Sequence, residues 1–306
     1  MNATLLLEHA LNGLQFGLML FLLAAGLTLI FGIMDFINLA HGSLYMAGAY
    51  FAATFTEMTG SFWLGLLCAV VATAFIGALL EVAIFRRLYE RNHMSHVLAT
   101  FALILIFNDA ARMVWGPAPL MLNTPPSLSG PVELFAGFSY PSFRLFIIAA
   151  GLAMAGLLYL LVVKTRLGMQ VRAGASNREM VRVMGVNIQR IFTLLVALGA
   201  GLCAVAGALL GSVLSVQVGM GESILILAFV VIVIGGIGSI RGALFGAILV
   251  GVVDTLSRSL LPAALKAIAP ADIASNLGPT LASILIYMLM ATVLFFKPQG
   301  LFPARG

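Results

Sequence analysis

The sequence predicts an all-α polytopic membrane protein of about eight or nine transmembrane or re-entrant helices. Two observations carry this: 62% of the 306 residues are hydrophobic against 9% charged, and the mean hydropathy is +1.12, both far from the balance of soluble domains. A third is periodic: charge-free runs long enough to cross a bilayer, about 20 residues each, recur along the whole chain. The formal charge of +5 comes from Lys and Arg confined to short loops between apolar runs. That pattern sets membrane orientation and argues against nucleic acid as a partner. Residues 1–306 read as a single transmembrane domain.

Candidate spans fall at 11–33, 36–56, 62–85, 97–111, 145–163, 191–212, 223–240, 242–258 and 279–296. "MNATLLLEHALNGLQ" lacks the basic start of a signal peptide, so the first apolar run is expected to remain as a span. The second run follows after one or two residues, too short for an exposed turn between full spans, and a broken or re-entrant helix is expected there. The same holds for 223–258. No Lys or Arg precedes Arg86. The basic residues then gather in "RRLYERNH" (86–93), "KTRLGMQVRAGASNREMVRVMGVNIQR" (164–190) and "KPQGLFPARG" (297–306), which the positive-inside rule places in the cytoplasm. The Pro- and Gly-rich segment 115–143 is then outside, with Trp115 and Tyr140 as interface anchors.

Small residues recur at helical spacing, in the pair Gly207 and Gly211 and in the stripe Gly238, Gly242 and Gly246. Such stripes let helix backbones approach closely in lipid. "VIGGIGSIRG" also has a second reading, as a bend or break, because three clustered glycines weaken a helix.

Enzyme signatures are missing: there is no GxSxG, no HExxH and no paired-Cys cluster, and no Gly-Lys dipeptide for a phosphate-binding loop. Neither catalysis nor a cofactor is expected. Cys68 and Cys203 read as small residues inside apolar runs. Glu81, Asp109 and Asp254 read as interfacial or capping carboxylates near span ends. Asp35, Asn38 and His41, close to Gly32 and Gly42, stand apart as three polar groups within seven apolar-flanked residues. They are expected to line a helix break on a translocation path, with simple helix-end capping as the alternative.

The 164–190 loop carries the sharpest pattern. Ser176 and Glu179 have capping-box spacing, Met180, Val183 and Met184 share one face, Arg178 and Arg182 another, and Gly185 is placed to stop the helix. A short amphipathic cytoplasmic helix follows, either lying flat on the inner leaflet against membrane lipid or docking into a soluble partner.

Four segments then resemble, in order, the LivH-type permease subunits of ABC importers for branched-chain amino acids and related small solutes. They are "GLTLIFGIMDFINLAHGSLYMAGAY", "RAGASNREMVRVMGVNIQRI", "VIVIGGIGSIRGALFGA" and "LFFKPQGLF". The resemblance covers nearly the whole chain. It implies the ABC importer permease fold in a bacterial inner membrane and a heterodimer with a LivM-like permease. It also implies two cytoplasmic ABC ATPase subunits, a periplasmic solute-binding protein, and an ATPase-coupling helix at 173–187 with Gly185 at the glycine of the loop motif. From the residues alone, an ion-coupled secondary carrier or a channel for a small solute stays open.

Overall fold

In the computed structural model, which describes residues 3–135, 137–266 and 270–302, nearly the whole chain is helical. Helix α1 (Ala3–Met34) is the hub: its 32 residues span about 48 Å at 1.5 Å per residue, and Leu18–Ala25 are almost wholly enclosed. A helix apolar on every side is a core helix or a membrane span; α1 is enclosed by other helices, and the sequence supplies the room. A Cβ on Gly17 would lie 2.9 Å from the Ile248 Cα of α10 (Ile240–Lys266), and one on Gly26 2.9 Å from the Gly199 Cα of α8 (Ile188–Leu214).

After Met34 the chain leaves helical geometry for six residues, beginning at Asp35 with a φ of 51°. Helix α2 (His41–Thr59) starts deep in the bundle, and α3 (Phe62–Ala83) returns after Gly60, which adopts the left-handed conformation at φ 66°. The expected break between the first two runs is therefore present. A 3₁₀ turn at Phe85–Arg87 leads to α4 (His93–Trp115), capped by Asn92, whose side chain accepts from the Ser95 amide. The segment after α4 holds an antiparallel hairpin, β1 (Pro131–Phe135) and β2 (Phe138–Pro141), before α5 (Ser142–Lys164). Tyr140, expected at the membrane interface, is instead fully buried, its hydroxyl donating to Asn12 Oδ1 at 2.7 Å.

Two short helices follow, α6 (Arg166–Ser176) and α7 (Arg178–Val183), and then α8, α9 (Met220–Gly235), α10 and α11 (Ala271–Phe296). Among the described residues seven helices are long and apolar enough to cross a membrane; α9 is a shorter apolar helix. At about 24 Å it ends with unpaired carbonyls, and the chain's own tail supplies donors: the Leu301 amide reaches Ile234 O at 2.8 Å and the Phe302 amide Gly235 O at 2.9 Å. The glycine stripe needs a correction. Gly238 lies in the turn between α9 and α10 at φ 82°, against Gly32 of α1, whereas Gly242 and Gly246 lie on α10 facing α9. The break reading of "VIGGIGSIRG" is the observed one.

Candidate functional site

The segment 164–190 is built by a chain of local caps. Thr165 Oγ1 accepts from the Gly168 amide at 3.1 Å and starts α6. Buried Gly168 lets α6 turn tightly beneath α5, since a side chain there would strike the carbonyls of Leu161 and Val162. Ser176 closes α6 rather than capping the next helix. The N-cap of α7 is Asn177, whose Oδ1 accepts from the Met180 amide at 2.9 Å, so the expected Ser176/Glu179 capping box is displaced by one residue. Asn ranks with Ser as a cap, and α6 running through Ser176 leaves Asn177 the first residue in extended geometry. Glu179 remains in the first turn, where its charge suits the helix dipole.

The stop is as expected. Gly185 has φ 83°, its amide donates to Arg182 O at 3.0 Å, and the Val186 amide reaches back to Val181 O at 3.3 Å. This double bond pattern is a Schellman ending, which needs a left-handed residue at the glycine position. Orientation of the short helix follows from two contacts: Val181 is buried, and the Arg178 guanidinium sits 5.9 Å from the centre of the Phe192 ring on α8. Those contacts turn Met180, Val183 and Met184 outward, exposed by 57%, 83% and 76%.

Beside this segment lies a cleft of about 980 Å³, whose lining includes Asp35, Arg172, Ser176, Arg178 and Arg241. Asp35 is thus placed at an open surface next to the 164–190 segment, 3.9 Å from the His93 ring. Asn38 and His41 do not join it there. Both are fully buried: His41 Nε2 is 3.2 Å from Leu23 O and 3.1 Å from Cys203 Sγ, in a slot walled by Gly26 and Gly199. Neither polar atom of the Asn38 side chain has a hydrogen-bond partner among the described residues. The three residues therefore share a helix break but not a cavity.

Sequence reasoning undervalued the carboxylates. Glu81 does lie near the end of α3, yet it is fully enclosed and bound three ways: by Arg86 Nη2 at 3.0 Å, Thr193 Oγ1 at 2.6 Å and Tyr89 OH at 3.2 Å. This network ties α3 and the following turn to α8, and burial together with the Glu81 charge pushes the Tyr89 phenol well above its ordinary range. Asp254, by contrast, is not at a helix end. Helix α10 continues to Lys266, and Asp254 is nearly buried within it, accepting from Arg258 Nε at 2.8 Å. A signal was present: Arg258 follows Asp254 at the i,i+4 spacing that pairs on a helix face.

A family model described as the permease component of the branched-chain amino acid transport system matches residues 9–294. The chain belongs to that family. It is 30% identical to the high-affinity branched-chain amino acid transport system permease protein BraD of Pseudomonas aeruginosa, over 96% of this chain and 95% of that protein. It is 28% identical to the corresponding permease protein LivH of Escherichia coli K12, over 96% of both chains. A probable LivH of Methanocaldococcus jannaschii is 29% identical over 78% of this chain. The chain is accordingly a multi-pass inner-membrane permease component of an importer.

Proposed function

We propose that this permease carries branched-chain or chemically related amino acids inward as one half of a heterodimer with a LivM-like subunit. A periplasmic solute-binding protein delivers the substrate and two cytoplasmic ATPases drive the cycle. The observation that carries the coupling role is α7 itself: a helix capped at both ends, anchored by Val181 and Arg178, that holds Met180, Val183 and Met184 out into water. An exposed apolar face on a rigid cytoplasmic knob supports docking into a groove of a soluble subunit, with Arg182 and Glu179 beside it for charge register.

A knob seated in an ATPase subunit moves with that subunit and so can pass its motion to the permease. The shared cleft offers a route inward, because Ser176 and Arg178 line it together with Asp35, where α1 ends and the break begins. The Gly242 and Gly246 contacts with α9, and those of Gly207 and Gly211 on α8, then keep the helices close enough to move as a body.

Proteoliposomes containing the two permeases, both ATPases and the binding protein are expected to accumulate labelled leucine only with internal-side ATP. Accumulation driven by an ion gradient in vesicles holding this chain alone would overturn the reading.

A further inference from the structure

A second cavity, of about 350 Å³, opens among α1, α5, α8, α9 and α10. Its depth follows from the helices. Arg144 lies in the first turn of α5 and Leu214 ends α8, both at the outer side, while Asp254 and Arg258 lie about 21 and 27 Å along α10 from its cytoplasmic start. The cavity therefore occupies the outer half of the membrane, on the side from which a binding protein delivers.

Its walls carry both charge signs. Arg258 Nε is committed to Asp254 Oδ1, which leaves the two Nη groups of the guanidinium and the second carboxylate oxygen without a partner among the described residues. Arg144 Nη1 and Tyr140 OH both donate to Asn12 Oδ1, so the Asn12 carbonyl is saturated while its amide donors have no partner among the described residues. Gln15 lines the cavity, is 97% enclosed with a relative exposure of 3%, and makes no hydrogen bond among the described residues. The rest of the lining includes the apolar side chains of Phe16, Leu210, Val213 and Leu227.

Ionisable groups inside a membrane are costly and are kept where they meet a ligand, a path or each other. Here the pair meets each other with only one of its bonds. A cavity near the lower bound of ligand pockets, about 300 Å³, admits one small solute. Guanidinium groups match a carboxylate, a free carboxylate oxygen matches an ammonium, and the apolar side chains match a short branched chain.

Resting on the amino-acid reading above, we infer that this cavity is an entry subsite for a zwitterionic α-amino acid. Arg144 and Arg258 receive the carboxylate, Asp254 the ammonium, Gln15 either end by hydrogen bonding, and Phe16, Leu210, Val213 and Leu227 the side chain. The site is half open, so it holds the substrate briefly and releases it onward.

The test uses the full complex in proteoliposomes, with transport of labelled leucine measured on the same sample. A diazirine analogue of leucine is added at millimolar concentration, irradiated, and its insertion mapped by peptide mass spectrometry. Insertion is expected in peptides of α1, α8 or α10 that line the cavity, competed by leucine but not by leucinol, which lacks the carboxylate, nor by 4-methylpentanoate, which lacks the amine. Arg144→Gln, and separately the paired Asp254→Asn with Arg258→Gln that leaves no lone buried charge, should each lower insertion about tenfold, the loss of one charge-assisted hydrogen bond. Co-purification of both ATPases and the second permease at the parent's stoichiometry shows that the variants assemble. Transport of leucine with no insertion at the cavity, or insertion unaffected by both variants, overturns the subsite alone. Competition by 4-methylpentanoate as strong as by leucine overturns the zwitterion assignment. A complex that does not transport leucine overturns the substrate reading and the subsite with it.

Discussion

Replacing Val183 by Asp tests the coupling role at its most exposed point. The side chain is 83% exposed, so nearly all of it is available to be covered by a partner, and full burial of a valine stabilises by about 1.5–3 kcal/mol. Taking the lower end for an incompletely covered side chain, loss of that contact costs about 1.5 kcal/mol. A carboxylate left without a hydrogen bond at the same place adds about 1–3 kcal/mol. Together these come to about 3 kcal/mol, which at 1.4 kcal/mol per tenfold weakens ATPase docking by roughly a hundredfold. The helix itself should survive, because Val183 faces away from Val181, the side chain that holds α7 to the bundle. The assay is titration of the ATPase subunits onto permease in lipid nanodiscs, alongside uptake into proteoliposomes, with Val183→Leu as the control that keeps an apolar surface. A Val183→Asp permease that binds the ATPases within threefold of the parent and transports normally would refute the docking face.

Gly242→Leu should sharply lower the yield of assembled complex, since a Cβ there already runs into the Gly235 carbonyl; a normal elution profile in detergent would contradict this. Glu81→Ala leaves Arg86 beside a buried, unpaired site and should cost about 3–5 kcal/mol, read as a large drop in thermal unfolding temperature, with Glu81→Gln milder because it still accepts from Thr193. In a chain free of native cysteines, Asp35→Cys should react quickly with a small water-soluble thiol reagent while Asn38→Cys and His41→Cys stay unlabelled, as the two are fully enclosed. Equal labelling at all three would show that the break opens to water. Gly185→Val forces a branched residue to φ 83° and should fray the end of α7, detected as faster amide exchange at 181–186 and reduced ATPase binding.

The apolar runs by themselves determined the class, the approximate number of spans and, through the three basic loops, which ends face the cytoplasm, because transfer into lipid depends on local composition. They also determined α7 and its stop at Gly185, since a cap, an amphipathic turn and a left-handed glycine are all interactions within a few residues. Local rules were less decisive where two neighbours satisfied them equally: Ser176 and Asn177 are both good caps, and the length of α6 chose between them. The hairpin at 131–141 was hidden because prolines and glycines in its segment signal a loop without saying whether its flanks pair. Only the tertiary structure decided what the polar residues do. His41 looks the same in sequence whether it lines water or fills a slot, and the slot is made by Gly26 and Gly199, fifteen and 158 positions away. Asp254 became part of a charged cavity only when Asn12, Gln15 and Arg144 arrived from helices far off in the chain, and a contact between residues so distant leaves no periodic trace in either segment.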